Sequence, residues 1–369
     1  MKNCENESRS GILNSPCPAK EFARCACAAM AMLILFFHAI SPSYALARGM
    51  NAAGASSRTV VDATGRSVVL PNVIRGVVIT CYGGVTHEVS VMGAADRIVA
   101  QPSMQRFPNL LKIYPRFAAM EDAGSFENVS VERIMTLKPD LVIAGITSPR
   151  ADRKIESLGI PVVTAAIGHA DIDALLNEFR MMGKVFGTEK RAAELVSFWK
   201  ERLSFIRKRV SGIPVSKRKR VFYMGSGSSL ATDGRLWWGQ HFISAAGGVN
   251  VAAEIGPARQ VTVEQLLVWN PDVIVMHTDT GPLSAGRPVR DNPRMRNVKA
   301  VKDNRVYPCP VGAFWWDRPS PEAILGIMWL AKTLYPERMK GLLLEKETAS
   351  FYKRFYDYGL SGGEYGSFF

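Results

Sequence analysis

The chain has 369 residues, 47% apolar and 21% charged, which suits a globular protein of one large or two ordinary domains and excludes a largely disordered one. Lys and Arg number 46 against 33 Asp and Glu. This excess is dispersed, with its densest run at Lys217–Arg220, and no binding module accompanies it, so a basic surface open to anionic ligands is expected and no nucleic-acid partner.

The first predicted element is the apolar run Ala26–Ile40, behind Lys20 and Arg24 and ahead of the small-x-small tripeptides Ser43-Tyr44-Ala45 and Ala45-Leu46-Ala47. It is too short to span a bilayer comfortably and reads as a secretory signal peptide over residues 1–47. A retained anchor helix is the alternative. No Cys follows the run at the cleavage point, as a lipid anchor would require, and no later segment is long enough to span, so a periplasmic location is expected. Cleavage removes Cys4, Cys17, Cys25 and Cys27 and leaves Cys81 and Cys309. That is neither a disulfide framework nor a zinc ribbon, and both are expected as buried free thiols.

Strands and helices then alternate. Strands are predicted at Gly76–Thr80, Arg97–Ala100, Asp140–Ala144 and Ile160–Thr164, with helices at Thr86–Met92, Val131–Leu137 and Ala151–Leu158. Continuous apolar strands separated by helices predict a parallel sheet covered on both faces. Leu195, Trp199, Leu203, Ile206 and Val210 then recur at helical spacing, predicting one long helix from Thr188 to Ser211, roughly 35 Å long. Beyond it the alternation restarts. Strands are predicted at Arg220–Met224, Asp272–Met276 and Arg305–Tyr307, and helices at His241–Ala246, Val263–Trp269 and Pro321–Leu334.

The restart is a repeat. Val129–Met135 (VSVERIM) returns as Val261–Leu267 (VTVEQLL), and Pro139–Ile143 (PDLVI) returns as Pro271–Val275 (PDVIV), at one constant offset without gaps. Each copy reads as a capped helix, a Pro-Asp turn and a buried strand. Two copies flanking a long helix predict an α/β fold of two similar lobes, residues 58–168 and 219–369, with a helical linker region over 169–212 and a cleft between the lobes.

Glu132 and Glu264 occupy the same slot in the two copies, two residues after a capping Ser130 or Thr262. Helix-end electrostatics accounts for either one alone. As a matched pair they read equally well as exposed carboxylates, one on each lobe, able to engage two basic sites on a symmetric partner. Trp237-Trp238 follows the turn signal Asp233-Gly234, and Phe314-Trp315-Trp316-Asp317-Arg318 precedes a helix. Adjacent tryptophans in loops beside arginine predict the lining of a concave site, against the alternative that Arg318 only pairs with Asp317. Arg106 and Arg259 lie in further loops at strand-to-helix junctions. Enzyme signals are weak. Gly225-Ser226-Gly227 lacks the Lys of a phosphate loop, no nucleophile elbow occurs, and His87, His169, His241 and His277 show no i, i+4 pairing. His87 is expected to pack or cap.

Taken in this order, certain motifs resemble the periplasmic binding proteins of ABC importers for ferric siderophores, haem and cobalamin. They are Asp62-x-x-Gly65-Arg66-x-Val68, Val131–Ile134, Lys138–Val142, Gly159–Val162, Gly247–Asn250 and Arg318–Glu322. The resemblance implies two α/β lobes on one rigid helix. It also implies docking of Glu132 and Glu264 on a permease dimer that carries the ATPase subunits. Its ligand-contacting positions fall at Tyr82, Arg106, Phe107, Trp237, Trp238, Arg259 with Ala258, Trp315 and Arg318. The chain departs from haem-binding members in having Ser125-Phe126 where they often carry Tyr, and from cobalamin-binding ones in having Ala258 in place of Trp. The expectation is a monomeric, non-catalytic receptor without a cofactor of its own. It would capture a metal chelate, a ferric siderophore first and a corrinoid or haem next. A chelatase-like enzyme on a similar scaffold is the alternative of another class.

Overall fold

The computed structural model describes residues 57–166, 171–225, 230–256, 259–278 and 287–369. The expected leader at 1–47, His169, Ser226-Gly227 and Ala258 lie outside the described residues.

A short antiparallel ribbon, β1 (Ser57–Val61) and β2 (Ser67–Pro71), opens the described chain. The first lobe carries β3 (Val77–Ile79), α1 (Val85–Val91), β4 (Ile98–Ala100), α2 (Val131–Leu137), β5 (Leu141–Gly145), α3 (Pro149–Glu156) and β6 (Val162–Ala165). Its sheet is wholly parallel in the order β4-β3-β5-β6. Two helices follow, α4 (Ile172–Phe186) and α5 (Glu189–Val210). The second lobe carries β7 (Arg220–Met224), α6 (Trp238–Ala245), β8 (Val249–Asn250), α7 (Val263–Trp269), β9 (Val273–Met276), β10 (Val306–Pro308) and α8 (Ala323–Leu334). Its sheet is also wholly parallel, in the order β8-β7-β9-β10. Both sheets therefore run second-first-third-fourth, which is the duplication legible in the repeat. A further helix, α9 (Leu344–Phe351), continues into a π-helical turn at Tyr352–Tyr356, and a short helix at Gly362–Gly366 follows.

The Pro-Asp turn has a visible job. Asp140 Oδ2 accepts from the backbone N–H of Arg75 (2.6 Å) and of Gly76 (3.0 Å), and Asp272 Oδ2 accepts from that of Arg220 (2.9 Å). In each lobe the carboxylate pins the start of the strand next to its own, which fixes the register of the central pair. The Ser130 and Thr262 hydroxyls accept from the backbone N–H of Arg133 and of Gln265, so both repeat helices are capped as expected.

Strand periodicity distributes the core. Val77, Ile79, Leu141 and Ile143, with Val221, Tyr223, Val273 and Val275, face one continuous core that runs through both lobes and around α5. The alternate residues face two smaller, separate cores: Val78, Val142 and Ala144 under α2, and Phe222, Ile274 and Met276 under α7. The long helix has 22 residues, about 33 Å. Of its predicted stripe, Leu195, Trp199, Ile206 and Val210 are buried and Leu203 is partly so. Ala192, Val196 and Phe198 are buried as well, because α4 and the C-terminal segment also pack on it. The Trp199 indole donates to Pro321 O at 3.0 Å, and the Arg191 guanidinium donates to Phe355 O at 2.8 Å. Each fully buried large side chain here contributes roughly 1.5–3 kcal/mol, so the two lobes share one stabilised spine.

Candidate functional site

The carboxyl ends of the parallel strands converge. β3 leads into Cys81-Tyr82, β7 into Gly225, β9 into His277 and β10 into Cys309. In open parallel sheets this is the edge where loops build binding sites. Loops from the two lobes meet there. Gly84 lies at φ 99°, and a Cβ at that position would come 2.9 Å from Pro319 O and 3.2 Å from Ser320 Cβ, so only glycine allows the approach. His87 Nε2 donates to Ala313 O at 3.0 Å, and the Asn109 amide donates to Gly312 O at 3.2 Å.

Aromatic rings fill the inner end. The Phe107 ring lies 4.8 Å from Trp315 and 5.1 Å from Phe314, and His87 lies 4.4 Å from Phe314. The void left among Tyr82, Gly84, His87, Met104, Phe107 and Trp315 is about 10 Å³, room for one water. Nothing larger than a water fits within this floor, and the arginines stand beside its aromatic rings. The Arg106 guanidinium lies 5.6 Å from the Tyr82 ring and 5.7 Å from Trp315, and that of Arg318 lies 6.0 Å from both Tyr223 and Trp237. One arginine comes from each lobe, and each is held against aromatic faces that orient it.

Beneath Trp315 is a buried polar group. His277 Nδ1 donates to Asp317 Oδ2 at 3.0 Å, the Tyr223 hydroxyl donates to the same oxygen at 3.0 Å, and Trp315 stands edge-on to His277 at 4.9 Å. Burial alone would raise the Asp317 carboxyl, but His277 and Arg318 beside it hold it below the usual carboxylate range. Burial pushes the Tyr223 hydroxyl well up. Burial also depresses His87, to about 4, against the small opposing effect of its bond to Ala313. The two thiols, Cys81 and Cys309, are free and buried, and burial pushes both well up, so they are poor nucleophiles. Among the described residues no three His, Cys, Asp or Glu side chains are grouped to hold a metal ion.

Tyr82, Arg106, Phe107, Trp237, Trp315 and Arg318 thus come together in one connected group where loops of the two lobes meet. Arg259 lies on a two-residue ribbon that pairs with Ala231–Thr232 and is exposed; no contact joins it to the cleft aromatics among the described residues. Trp238 departs from expectation. Its helix begins at Trp238 rather than at His241, which turns the indole inward to complete burial in the shared core, while Trp237 stays at the cap and half exposed. Asp317 is more than a staple for Arg318: it also holds His277 and Tyr223, and Arg318 additionally reaches Gly225 O at 3.3 Å. His277 and Tyr223 were not marked from sequence. Their signal was position, at the carboxyl ends of two predicted strands.

Glu132 and Glu264 are exposed on α2 and α7, each helix covering the outer face of its own lobe's sheet. Glu264 pairs with Arg294 at 2.6 Å. Its carboxyl is lowered by the helix-end backbone N–H first, then by Arg294 and Thr262. Among the described residues no cation pairs with Glu132, and its neighbour Arg133 pairs with Glu121 instead.

Comparison with known proteins adds to this geometry. The model of the family described as "Periplasmic binding protein" matches residues 78–311. The molybdate-binding protein MolA of Haemophilus influenzae is 28% identical over 325 residues, covering 82% of this chain and 91% of that protein. A vitamin B12-binding protein of Vibrio cholerae is 26% identical over 236 residues, covering 63% of this chain and 79% of that protein. Among solved structures, a periplasmic solute-binding protein from Veillonella parvula superposes with a TM-score of 0.74 at 26% identity, over 85% of this chain and 97% of that one. MolA bound to molybdate gives 0.73 at 26% identity, over 82% and 99%.

Proposed function

The chain belongs to the periplasmic binding protein family, and from that premise we propose that it captures an anionic metal species in the inter-lobe cleft and delivers it to the permease of an ABC importer. The observation that carries this reading is the pair of arginines, Arg106 and Arg318, brought from opposite lobes over the rings of Tyr82, Trp237 and Trp315. Guanidinium groups recognise oxyanions and carboxylates through paired N–H donors. Seating a ligand between two of them links its binding to both lobes at once. No metal chemistry by this chain is needed, because the cargo brings its own metal. Glu132 and Glu264 serve as the two docking points, and ATP hydrolysis belongs to the partner.

A metal oxyanion of the molybdate class is the first ligand reading, supported by the likeness to MolA over most of both chains. The ferric siderophore expected from the sequence is the second. The half-exposed rings of Tyr82, Trp237 and Trp315 favour it, because they offer flat apolar surface to a larger anionic chelate. The test is ligand identification by mass spectrometry of protein purified from native periplasm. Tryptophan-fluorescence titration with molybdate, a ferric siderophore and a corrinoid accompanies it. Molybdate is expected to quench, with affinity reduced roughly tenfold or more by Arg106→Ala and by Arg318→Ala. Quenching by a neutral corrinoid alone, indifferent to both substitutions, would overturn the anion reading.

A further inference from the structure

Glu322 is fully buried at the start of α8 and enclosed by donors. The Trp316 indole N–H gives it a bond of 2.9 Å and the Tyr352 hydroxyl one of 3.1 Å, both to Oε2, while the Tyr356 hydroxyl gives one of 2.8 Å to Oε1. On its Gly312 side the group is tightly closed. A Cβ on Gly312 would lie 2.2 Å from Glu322 Oε2, 2.6 Å from Tyr352 Oη and 2.7 Å from Trp316 Nε1. The group does not end there. Tyr352 Oη accepts the Ala313 N–H at 2.7 Å, and the other side of that residue, Ala313 O, accepts from His87 of the opposite lobe at 3.0 Å. One unbroken chain of hydrogen bonds therefore runs from Glu322 through Tyr352 and Ala313 to His87, and the ligand-facing Trp315 is two residues from its midpoint.

We propose that Glu322 is a positioning residue for the cleft. Through Tyr352 and Ala313, and against His87, it sets where the loop bearing Trp315 and Arg318 stands. This rests on the reading of the cleft as the ligand site. The loop's placement depends on the charge of Glu322 because every partner is a donor. A carboxylate accepts all three bonds. A carboxylic acid carries a proton that no neighbour accepts unless a tyrosine hydroxyl turns round. Tyr352 already accepts from Ala313, so turning it leaves its own proton without a partner. Burial raises Glu322 to about 7, only partly countered by Tyr356, Trp316, Tyr352 and the Phe314 backbone. Around this cage the titratable groups are Tyr352 and Tyr356 themselves, Tyr114 against the Tyr356 ring at 6.3 Å, Glu364 towards Tyr352, and His87 beyond Ala313. Among the described residues no cation hydrogen-bonds to Glu322.

The experiment uses the whole protein labelled with 5-fluorotryptophan and without ligand. The Trp315 and Trp316 resonances are assigned by single replacement with Phe, and spectra are followed between about pH 5.5 and 8.5. In the wild type both resonances are expected to shift with one midpoint near 7. In Glu322→Gln the Trp316 resonance is flat, and Trp315, which also packs on His277, loses the component it shares with Trp316. In Tyr352→Phe, which keeps the carboxylate and two of its donors, Trp316 still titrates and Trp315 loses that component. A Trp315 resonance that stays fixed in the wild type, or that titrates equally in Glu322→Gln or in Tyr352→Phe, overturns the proposal. With molybdate as the probe, the dissociation constant is expected to vary over the same pH interval in the wild type and to lose that variation in Glu322→Gln. Failure of the wild type to bind molybdate counts against the oxyanion reading alone, since the ligand-free resonances decide the role of Glu322 by themselves.

Discussion

The two repeat units, around α2–β5 and α7–β9, are built alike and surrounded differently. Both helices are capped by a hydroxyl, both end on a residue in the left-handed region (Lys138 at φ 48°, Asn270 at φ 42°), and both Pro-Asp turns pin the neighbouring strand. Their acids are not alike. Glu264 is engaged by Arg294, a residue outside the repeat, and Glu132 is not engaged by any described cation. The repeat thus dictates local architecture, while the electrostatic state of each tip is set by residues that were never duplicated.

The largest effect expected from this comparison concerns delivery. Replacing both Glu132 and Glu264 with Ala should leave ligand affinity unchanged and abolish uptake in a reconstituted importer. Normal uptake by that double variant would refute docking through these tips. The inequivalence is sharpened by Arg294→Ala. Releasing Glu264 from an exposed ion pair should strengthen association with the permease only a few-fold, the range such pairs allow. Arg294→Ala weakening association would instead make Arg294 part of the docking surface.

The halves also differ where their loops meet, in that His87 and Glu322, one buried group from each, are shifted in opposite senses. His87, from the first lobe, is depressed from 6.5 to about 4. Below its ordinary value the unfolded chain binds a proton that the fold refuses. Stability from this residue is therefore complete above about pH 6.5 and is lost as pH falls towards about 4, by about 3 kcal/mol. Glu322, from the second lobe, is raised from 4.5 to about 7. The folded state holds its proton longer, so its contribution is complete below about pH 4.5 and is lost as pH rises towards about 7, again by about 3 kcal/mol. Chemical denaturation at several pH values should show His87→Gln removing the acid-side loss and Glu322→Gln removing the loss on the rising side. Parallel stability profiles for wild type and both variants would erase this contrast.

What was legible in the sequence follows the same division. Capping hydroxyls, Pro-Asp turns, apolar strand runs and the stripe of the long helix are local signals, and they named the spine and every strand of both sheets except the two-residue edge strand β8. The cleft is assembled from loops far apart in the chain. Asp317 meets Tyr223 across 94 residues and His277 across 40, and Glu322 meets Tyr352 and Tyr356 across 30 and 34. No spacing rule reaches that far, so Trp315 and Arg318 were visible as an unusual loop while the groups holding them were not. Trp238 was misplaced for a local reason, a helix that starts three residues before the predicted one.

The smallest expected effect tests whether the two repeats are interchangeable where they differ in a single backbone requirement. The residue closing each repeat helix has positive φ, a conformation in which Asn is tolerated and Lys is strained, because its Cβ crowds the following carbonyl and its side chain offers no local hydrogen bond in return. The second lobe has the favourable residue and the first does not. Lys138→Asn should therefore stabilise the protein by about 0.5–1 kcal/mol, and Asn270→Lys should destabilise it by a similar amount. Asn270 does one thing more: its side-chain oxygen accepts the Lys299 N–H at 2.8 Å. The loss at 270 should then exceed the gain at 138 by roughly one hydrogen bond, about 1 kcal/mol. Equal and opposite changes, read from denaturant midpoints at unchanged slope, would mean that this bond contributes nothing. A loss at Lys138→Asn would mean that the first lobe's helix end is held by something other than its backbone geometry.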